Sequence, residues 1–393
     1  MQRRIGISFV VSVIIIVIAA AVAPYFVGRA AESSFKARIA DINAHHPGVI
    51  VQVDSYQRGF YSSEVKLSLT PQAGMAPRAL RLWSIMLGSR GKPQFDLRID
   101  HGPIPFAAFG NGHMSFLPVL YSAEFRGDKL PPSSILGIFK PDVYMRQYFT
   151  GGTRGTLSVP PGRYSRGVFG VTWQGGQVTA GLDSAQDRVH YSGGIGVIRY
   201  HARNVGNKIS YSGSLRGFDF SGNKHREKYD FWTGTSHSTF KGAGFKANGK
   251  QVVRLAVGQG HTELNETADG RWLGGASTFT QQGGTLKGWP YSKLTLEETV
   301  SHIDAATLRR FLDQLNAAER AVDSGVERDA LRQTLPVLGR ALAPAQATAR
   351  LAFSAPDGRL DIGARVTFDA AVPVATVPRP FALRDRIDAR VTL

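Results

Sequence analysis

The stretch Ser63-Glu64-Val65-Lys66-Leu67-Ser68-Leu69-Thr70 decides the fold class. In an extended chain Val65, Leu67 and Leu69 fall on one side and Glu64, Lys66 and Ser68 on the other. That is the period-two pattern of an antiparallel strand with one buried and one wet face. The alternation precedes this stretch in Val49–Asp54, where residues 49, 51 and 53 are all Val, and follows it in Phe95-Asp96-Leu97-Arg98-Ile99-Asp100. Strand-like runs recur around 154–159, 166–181, 188–202, 208–221, 236–247, 251–264 and 271–280. Asn248-Gly249 and Asp269-Gly270 between them read as hairpin turns. His190-Tyr191-Ser192-Gly193 and Ser210-Tyr211-Ser212-Gly213 head two of these runs alike, which suggests a meander of similar hairpins. The expected fold is mainly β, a large antiparallel β-sheet domain.

Two helical patterns interrupt the strands. Phe35, Ile39 and Ile42 lie at helical spacing within Ala30–Ala44, which ends at Pro47-Gly48 and reads as a stalk or a cap on the sheet. Near 303–343, Asp304 is the expected N-cap of a helix carrying Leu308, Phe311, Leu312 and Leu315. A second pattern runs through Leu331, Leu335, Leu338 and Leu342, with Pro336 in a first turn or at a kink. Strands resume at Arg350–Ser354 and Arg359–Phe368, and Val391-Thr392-Leu393 still alternates.

The strongest membrane signal is at the start. Ile5 to Val27 carries no charge, and as a helix it rises roughly 34 Å, enough to cross a bilayer core. Arg3 and Arg4 precede it, which orients the N-terminus toward the cytoplasm. A signal peptide cleaved after Ala21-Val22-Ala23 is the competing reading; Pro24 and the length of the apolar run weigh against it. The expected organisation is a cytoplasmic tail at 1–4, a transmembrane helix at 5–27, a helical stalk at 28–48, and a periplasmic β-rich domain at 49–393.

Two motifs flank the second and third strands: Tyr56-Gln57-Arg58-Gly59-Phe60-Tyr61-Ser62-Ser63 and Ile99-Asp100-His101-Gly102-Pro103-Ile104-Pro105. In order and spacing, behind one N-terminal anchor, they resemble the YdgA-like family of bacterial envelope proteins, a domain of unknown function. The resemblance covers about residues 5–110 and extends more diffusely to Leu335-Pro336-Val337-Leu338. It implies an inner-membrane-anchored periplasmic protein and brings no reaction with it. The motif residues Tyr56, Arg58, Gly59, Ser62, Ser63, Asp100, His101, Gly102 and Pro103 also have a local account. Gly59 permits a tight turn, Arg58 reaches nearby carbonyls or Asp54 or Glu64, and Pro103 and Pro105 end a strand. Structural roles are expected for them, with ligand contact as the alternative.

Signatures of chemistry are missing. The chain has no cysteine, which excludes disulfides, thiolate metal ligands and thiol catalysis. His45-His46 has no metal-binding spacing, and His190 and His201 approach only if strands bring them together. Neither Tyr191-Ser192-Gly193 nor Tyr211-Ser212-Gly213 forms a nucleophile elbow. Glu263, Glu266, Glu297 and Glu298 carry no local signature of paired acids. The glycine-rich stretches open no helix that would hold phosphate. No cofactor, metal or catalytic residue is expected.

The net charge of +17 comes from 47 basic and 30 acidic side chains. Outside the cytosol that excess points to anionic lipid or another envelope polyanion, with a generally basic proteome or a solubility bias as the alternative; no nucleic-acid-binding signature accompanies it. The leading expectation is a non-enzymatic protein that binds a lipid or another envelope component on a curved sheet, with Val65, Leu67, Leu69, Phe95, Leu97 and Ile99 on the groove floor. The alternatives are an envelope scaffold, homo-oligomeric or docking a partner protein, and a hydrolase of an envelope polymer or lipid.

Overall fold

The computed structural model describes residues 24–44, 49–72, 83–87, 93–101, 119–127, 130, 134–203, 209–320, 336–356, 358–367 and 390–392. The protein is mainly β, and the described strands number eighteen, with antiparallel pairing throughout the registers given below. Contacts group the chain into two compact units, Met1–Leu157 with Gly181–Gln186, and Ser158–Ala180 with Asp187–Leu393.

In the first unit a helix, α1 (residues 24–44), lies on a meander of β1 (Val49–Arg58), β2 (Ser62–Pro71), β3 (Gln94–His101), β4 (Val119–Arg126) and, after short helices α2 (83–87) and α3 (Ile135–Phe139), β5 (Asp142–Tyr148). The deciding stretch is β2, paired with β1 on one side and β3 on the other. Its apolar side forms one core with the helix: Ala31 and Phe35 pack with Val65, Leu67, Ile99, Tyr121 and Ala123. Residues 24, 28, 31 and 35 of α1 are all buried, a stripe with i+4 and i+3 steps. At its far end Asn43 acts as an extra strand neighbour: its amide donates to the Val51 carbonyl at 2.8 Å and accepts from the Val51 N–H at 2.9 Å.

Of the stalk and the cap read for the helix after the apolar run, α1 is the cap: it lies on the sheet. Pro24–Val27, the end of the expected membrane span, are part of that same helix, and Pro24 is buried. The remainder of the expected span lies outside the described residues, among which no helix is long and apolar enough to cross a membrane. The groove floor is a correction: Val65, Leu67 and Ile99 are 1%, 7% and 0% exposed beneath α1, so the chain itself fills that space.

The second unit is a meander of long strands. β6 (Thr153–Val159) and β9 (Gly176–Leu182) fall across the division between units, and β7 (Gly162–Arg166) and β8 (Phe169–Trp173) lead into the meander. Its body is β10 (Arg188–Arg203), β11 (Ser210–Arg226), β12 (Trp232–Ala247), β13 (Lys250–Glu266), β14 (Trp272–Leu286), β15 (Trp289–Asp304), β16 (Gln346–Ala355), β17 (Gly358–Thr367) and β18 (Arg390–Thr392). Between β15 and β16 come α4 (Ala305–Arg320) and α5 (336–342), and the Asp304 carboxylate accepts from the Thr307 N–H at 2.7 Å as the expected N-cap. Asn248 and Gly249 both take positive φ, 50° and 75°, as a type I′ hairpin requires.

Glycine gives this sheet its side-chain arrangement. A Cβ on Gly258 would strike the Phe240 ring, one on Gly193 would come within 2.8 Å of Phe220, and one on Gly284 would strike Tyr291. Aromatic rings thus reach over the glycine of the neighbouring strand, the cross-strand arrangement that compensates glycine's poor strand propensity. Glycine also turns the apolar pattern over. Leu294 is in register with Gln281 and Phe353. Tyr291, three residues away, would face the other side of a regular strand. Instead its ring sits 5.2 Å from that of Phe353, and its hydroxyl donates to Gln281. The switch coincides with Gly283, at φ 70° on the paired strand; Gly217 at φ 55° marks the matching point on β11, where apolar positions pass from Phe218 and Phe220 to Leu215 and Tyr211.

Gly258→Ala should therefore lower stability by about 1–3 kcal/mol through the displaced Phe240 ring. Gly363→Ala, which meets nothing within 4 Å and has no positive φ, should stay within about 0.5 kcal/mol of wild type. Urea unfolding of both variants is the check, and equal effects would remove the ring-on-glycine account.

Candidate functional site

Two places collect the residues of interest, one in each unit. In the first, the two sequence motifs meet under α1. The backbone joins them: the His101 N–H donates to the Tyr61 carbonyl at 2.9 Å. The Gly59 N–H donates to the Ser62 carbonyl at 2.8 Å, and a Cβ at Gly59 would lie 2.6 Å from that oxygen, so the turn requires glycine. Side chains complete the contact. Ser63 Oγ is 3.1 Å from His101 Nε2, with both residues buried. Tyr56 packs its ring 6.3 Å from that of Phe35. Arg58 reaches Glu32 of α1 at 3.3 Å and lays its guanidinium 5.2 Å from the Tyr25 ring centroid.

The imidazole is closed in on its other side by α1. A Cβ at Gly28 would sit 2.6 Å from His101 Cε1 and 2.9 Å from Nδ1. Nδ1 is buried without a hydrogen-bond partner. A proton on Nε2, donated to Ser63, leaves Nδ1 a bare acceptor, which costs less than an unsatisfied N–H. Burial holds the His101 pKa below its ordinary value of 6.5; the Asp100 charge opposes that shift and Arg58 reinforces it. Burial likewise raises Tyr56 and Tyr121 above the usual phenol value.

Ser63, His101 and Asp100 together are not a catalytic triad. Asp100 is next to His101 in a strand and faces the opposite side, in register with Ser62 and Ser122. Its carboxylate holds Arg98 at 3.0 Å. Gly102 and Pro103 lie outside the described residues. The motifs thus form a clasp between helix and sheet. Sequence reasoning missed the helix side of it, Gly28, Glu32 and Asn43; the stripe 24–28–31–35 crossing the end of the apolar run was the available signal.

In the second unit, register sorts the side chains of β10–β17 onto two unlike faces. One carries Tyr191, Phe218, Phe220, Phe240, Phe279, Leu294, Leu296, Leu351, Phe353 and Ile362. The other carries Asp219, Asn223, Thr235, His237, Gln259, His261, Thr278, Glu297 and Arg350. All ten apolar residues are half-buried, and none reaches the fully buried class. Toward β13–β17 the apolar face dips into a cavity of about 360 Å³ whose lining includes Leu264, Gly275, Val300, Ala347 and Ala364.

The chain belongs to a bacterial protein family of unknown function, DUF945, whose model matches residues 7–393. It is similar to the Uncharacterized protein YihF of Escherichia coli (strain K12), 22% identical over 280 residues, or 70% of this chain and 55% of that protein. The chain therefore spans about half the length of that relative. No solved structure matches.

The clasp yields a pH prediction. Folded His101 takes a proton less readily than unfolded His101, so its contribution is complete above pH 6.5 and is lost as pH falls through 6.5 toward the lowered folded value. Thermal unfolding of His101→Asn should lose that part of the acid sensitivity while costing about 1–3 kcal/mol at neutral pH through the unsatisfied Ser63. Gly28→Ala should destabilise by a similar ~1–3 kcal/mol, although alanine alone favours a helix by about 1 kcal/mol. A stabilised Gly28→Ala protein would show that the helix does not press on the imidazole.

Proposed function

We propose that this is a non-enzymatic, single-pass inner-membrane protein whose main domain lies in the periplasm and binds an apolar, lipid-class ligand on the sheet of its second unit. The observation that carries the reading is the half-buried face of aromatic and aliphatic side chains across β10–β17, opposite a face of Thr, Ser, His and charged residues. An apolar surface of this extent is unfavourable in water at about 25 cal/mol per Å² and suits acyl chains laid across the strands. The uncharged run from Ile5 supports the anchor, and the likeness of residues 5–110 to YdgA-like envelope proteins supports the compartment. The net charge of +17 favours an anionic headgroup. Against catalysis stands the clasp, where Ser63 and His101 are sealed from solvent.

A scaffold that docks another envelope protein or a second copy of itself is the alternative. Leu286 and Trp289, paired at the β14–β15 turn and 53% and 74% exposed, favour it.

Native mass spectrometry of the full chain, extracted in detergent, separates the two. The expected spectrum contains a co-purifying lipid mass that is lost on denaturation, with occupancy at least about tenfold lower in Phe279→Glu. Circular dichroism verifies that the variant retains its strands. A bare protein, or lipid retained equally by the variant, would overturn the lipid reading; a bare dimer would favour the scaffold.

A further inference from the structure

On the polar face of the second unit, His237 and His261 stand directly opposite each other on β12 and β13. Their Nδ1 atoms are 3.1 Å apart, and their ring centroids 4.5 Å. We propose that this pair is a divalent transition-metal site, taking zinc or copper(II) through both Nδ1 atoms.

The geometry argues from the nitrogens outward. Metal–imidazole bonds of about 2.05 Å to two nitrogens at that separation subtend an angle of about 98°, between the octahedral and tetrahedral values. The bare protein allows one hydrogen bond between these atoms and forces one ring to carry its proton on Nδ1. A cation between them uses both lone pairs: the ring that held its proton on Nδ1 moves it to Nε2, where the other ring already carries its own.

The pair is also held in place. Register places the pair between Ser221 of β11 and Thr278 of β14, so the backbone already brings the two imidazoles together before any cation binds. Glu263, two residues along β13, adds a negative charge to the same face. No third histidine or carboxylate joins the pair in a ready-made cluster among the described residues. Water completes the shell, and the cation remains open to a further ligand. His190, on the same face of β10, is engaged with Asn223 and takes no part.

The experiment is titration calorimetry of the full chain in detergent, stripped with a chelator, with zinc chloride as the probe. One equivalent should bind with a dissociation constant on the order of micromolar. His237→Ala and His261→Ala should each weaken it by about tenfold or more, and zinc should raise the thermal midpoint of the wild type and of His190→Ala but of neither pair variant. Absence of binding up to millimolar zinc would overturn the proposal, as would binding that survives loss of either histidine. The site lies on the face opposite the proposed lipid surface, so failure here leaves that reading intact.

Discussion

An antiparallel sheet with one apolar face must keep that face from water, and this chain meets the constraint in two different ways. In the first unit a helix does it: α1 lays Ala31 and Phe35 across β1–β4 and closes a dry core around Val65 and Ile99. In the second unit the strands do part of it themselves. Several large rings settle onto a glycine of the next strand, as Phe240 does on Gly258 and Phe220 on Gly193, so that the glycine side of the ring is covered. The result is half-burial along the whole face, and apolar surface left over for a partner.

The sequence disclosed the constraint more readily than the solutions. Alternation in residues 49–54, 63–70 and 95–100 located β1, β2 and β3 and told their inner faces from their outer ones, because period two is a local property. What covers those faces is not local. Phe35, Ile39 and Ile42 announce a helix, yet only packing shows that its stripe includes Gly28 and Pro24, at the end of a run whose apolar character reads as membrane. The long strands of the second unit were harder still. The runs around 188–202, 208–221, 236–247, 251–264 and 271–280 do fall on β10–β14, but apolar positions change parity at Gly217 and Gly283, so along β11 and β14 no single alternation tells one face from the other.

The two motifs show why a suggestive trio of residue types is weak evidence for chemistry. Asp100, His101 and a nearby serine are the residues of a triad, and Ser63 does hydrogen-bond His101. Strand geometry then decides the matter. Adjacent residues in β3 face opposite ways, so the carboxylate that would orient the imidazole is on the far side of the sheet, paired with Arg98. What the imidazole meets instead is the backbone of Gly28. A ring that fills the space left by a glycine in a helix fixes where that helix lies on the sheet, and it does so beside the turn between β1 and β2.

The same contact governs the second unit at larger scale. Register there is held by turn residues at the hairpin ends and by ring-on-glycine pairs along the strands. A slip of β13 by one residue against β12 would move Gly258 away from Phe240 and bring Val257 or Gln259 to that ring. It would also turn the strand over, carrying His261 to the apolar face and Leu264 to the wet one. Steric fit at the glycines thus fixes more than stability. It holds Phe218, Phe240 and Phe279 on one face as a continuous surface, and it holds His237 opposite His261 on the other. A glycine-rich composition, often a mark of loose structure, is here what makes a single register cheaper than its neighbours.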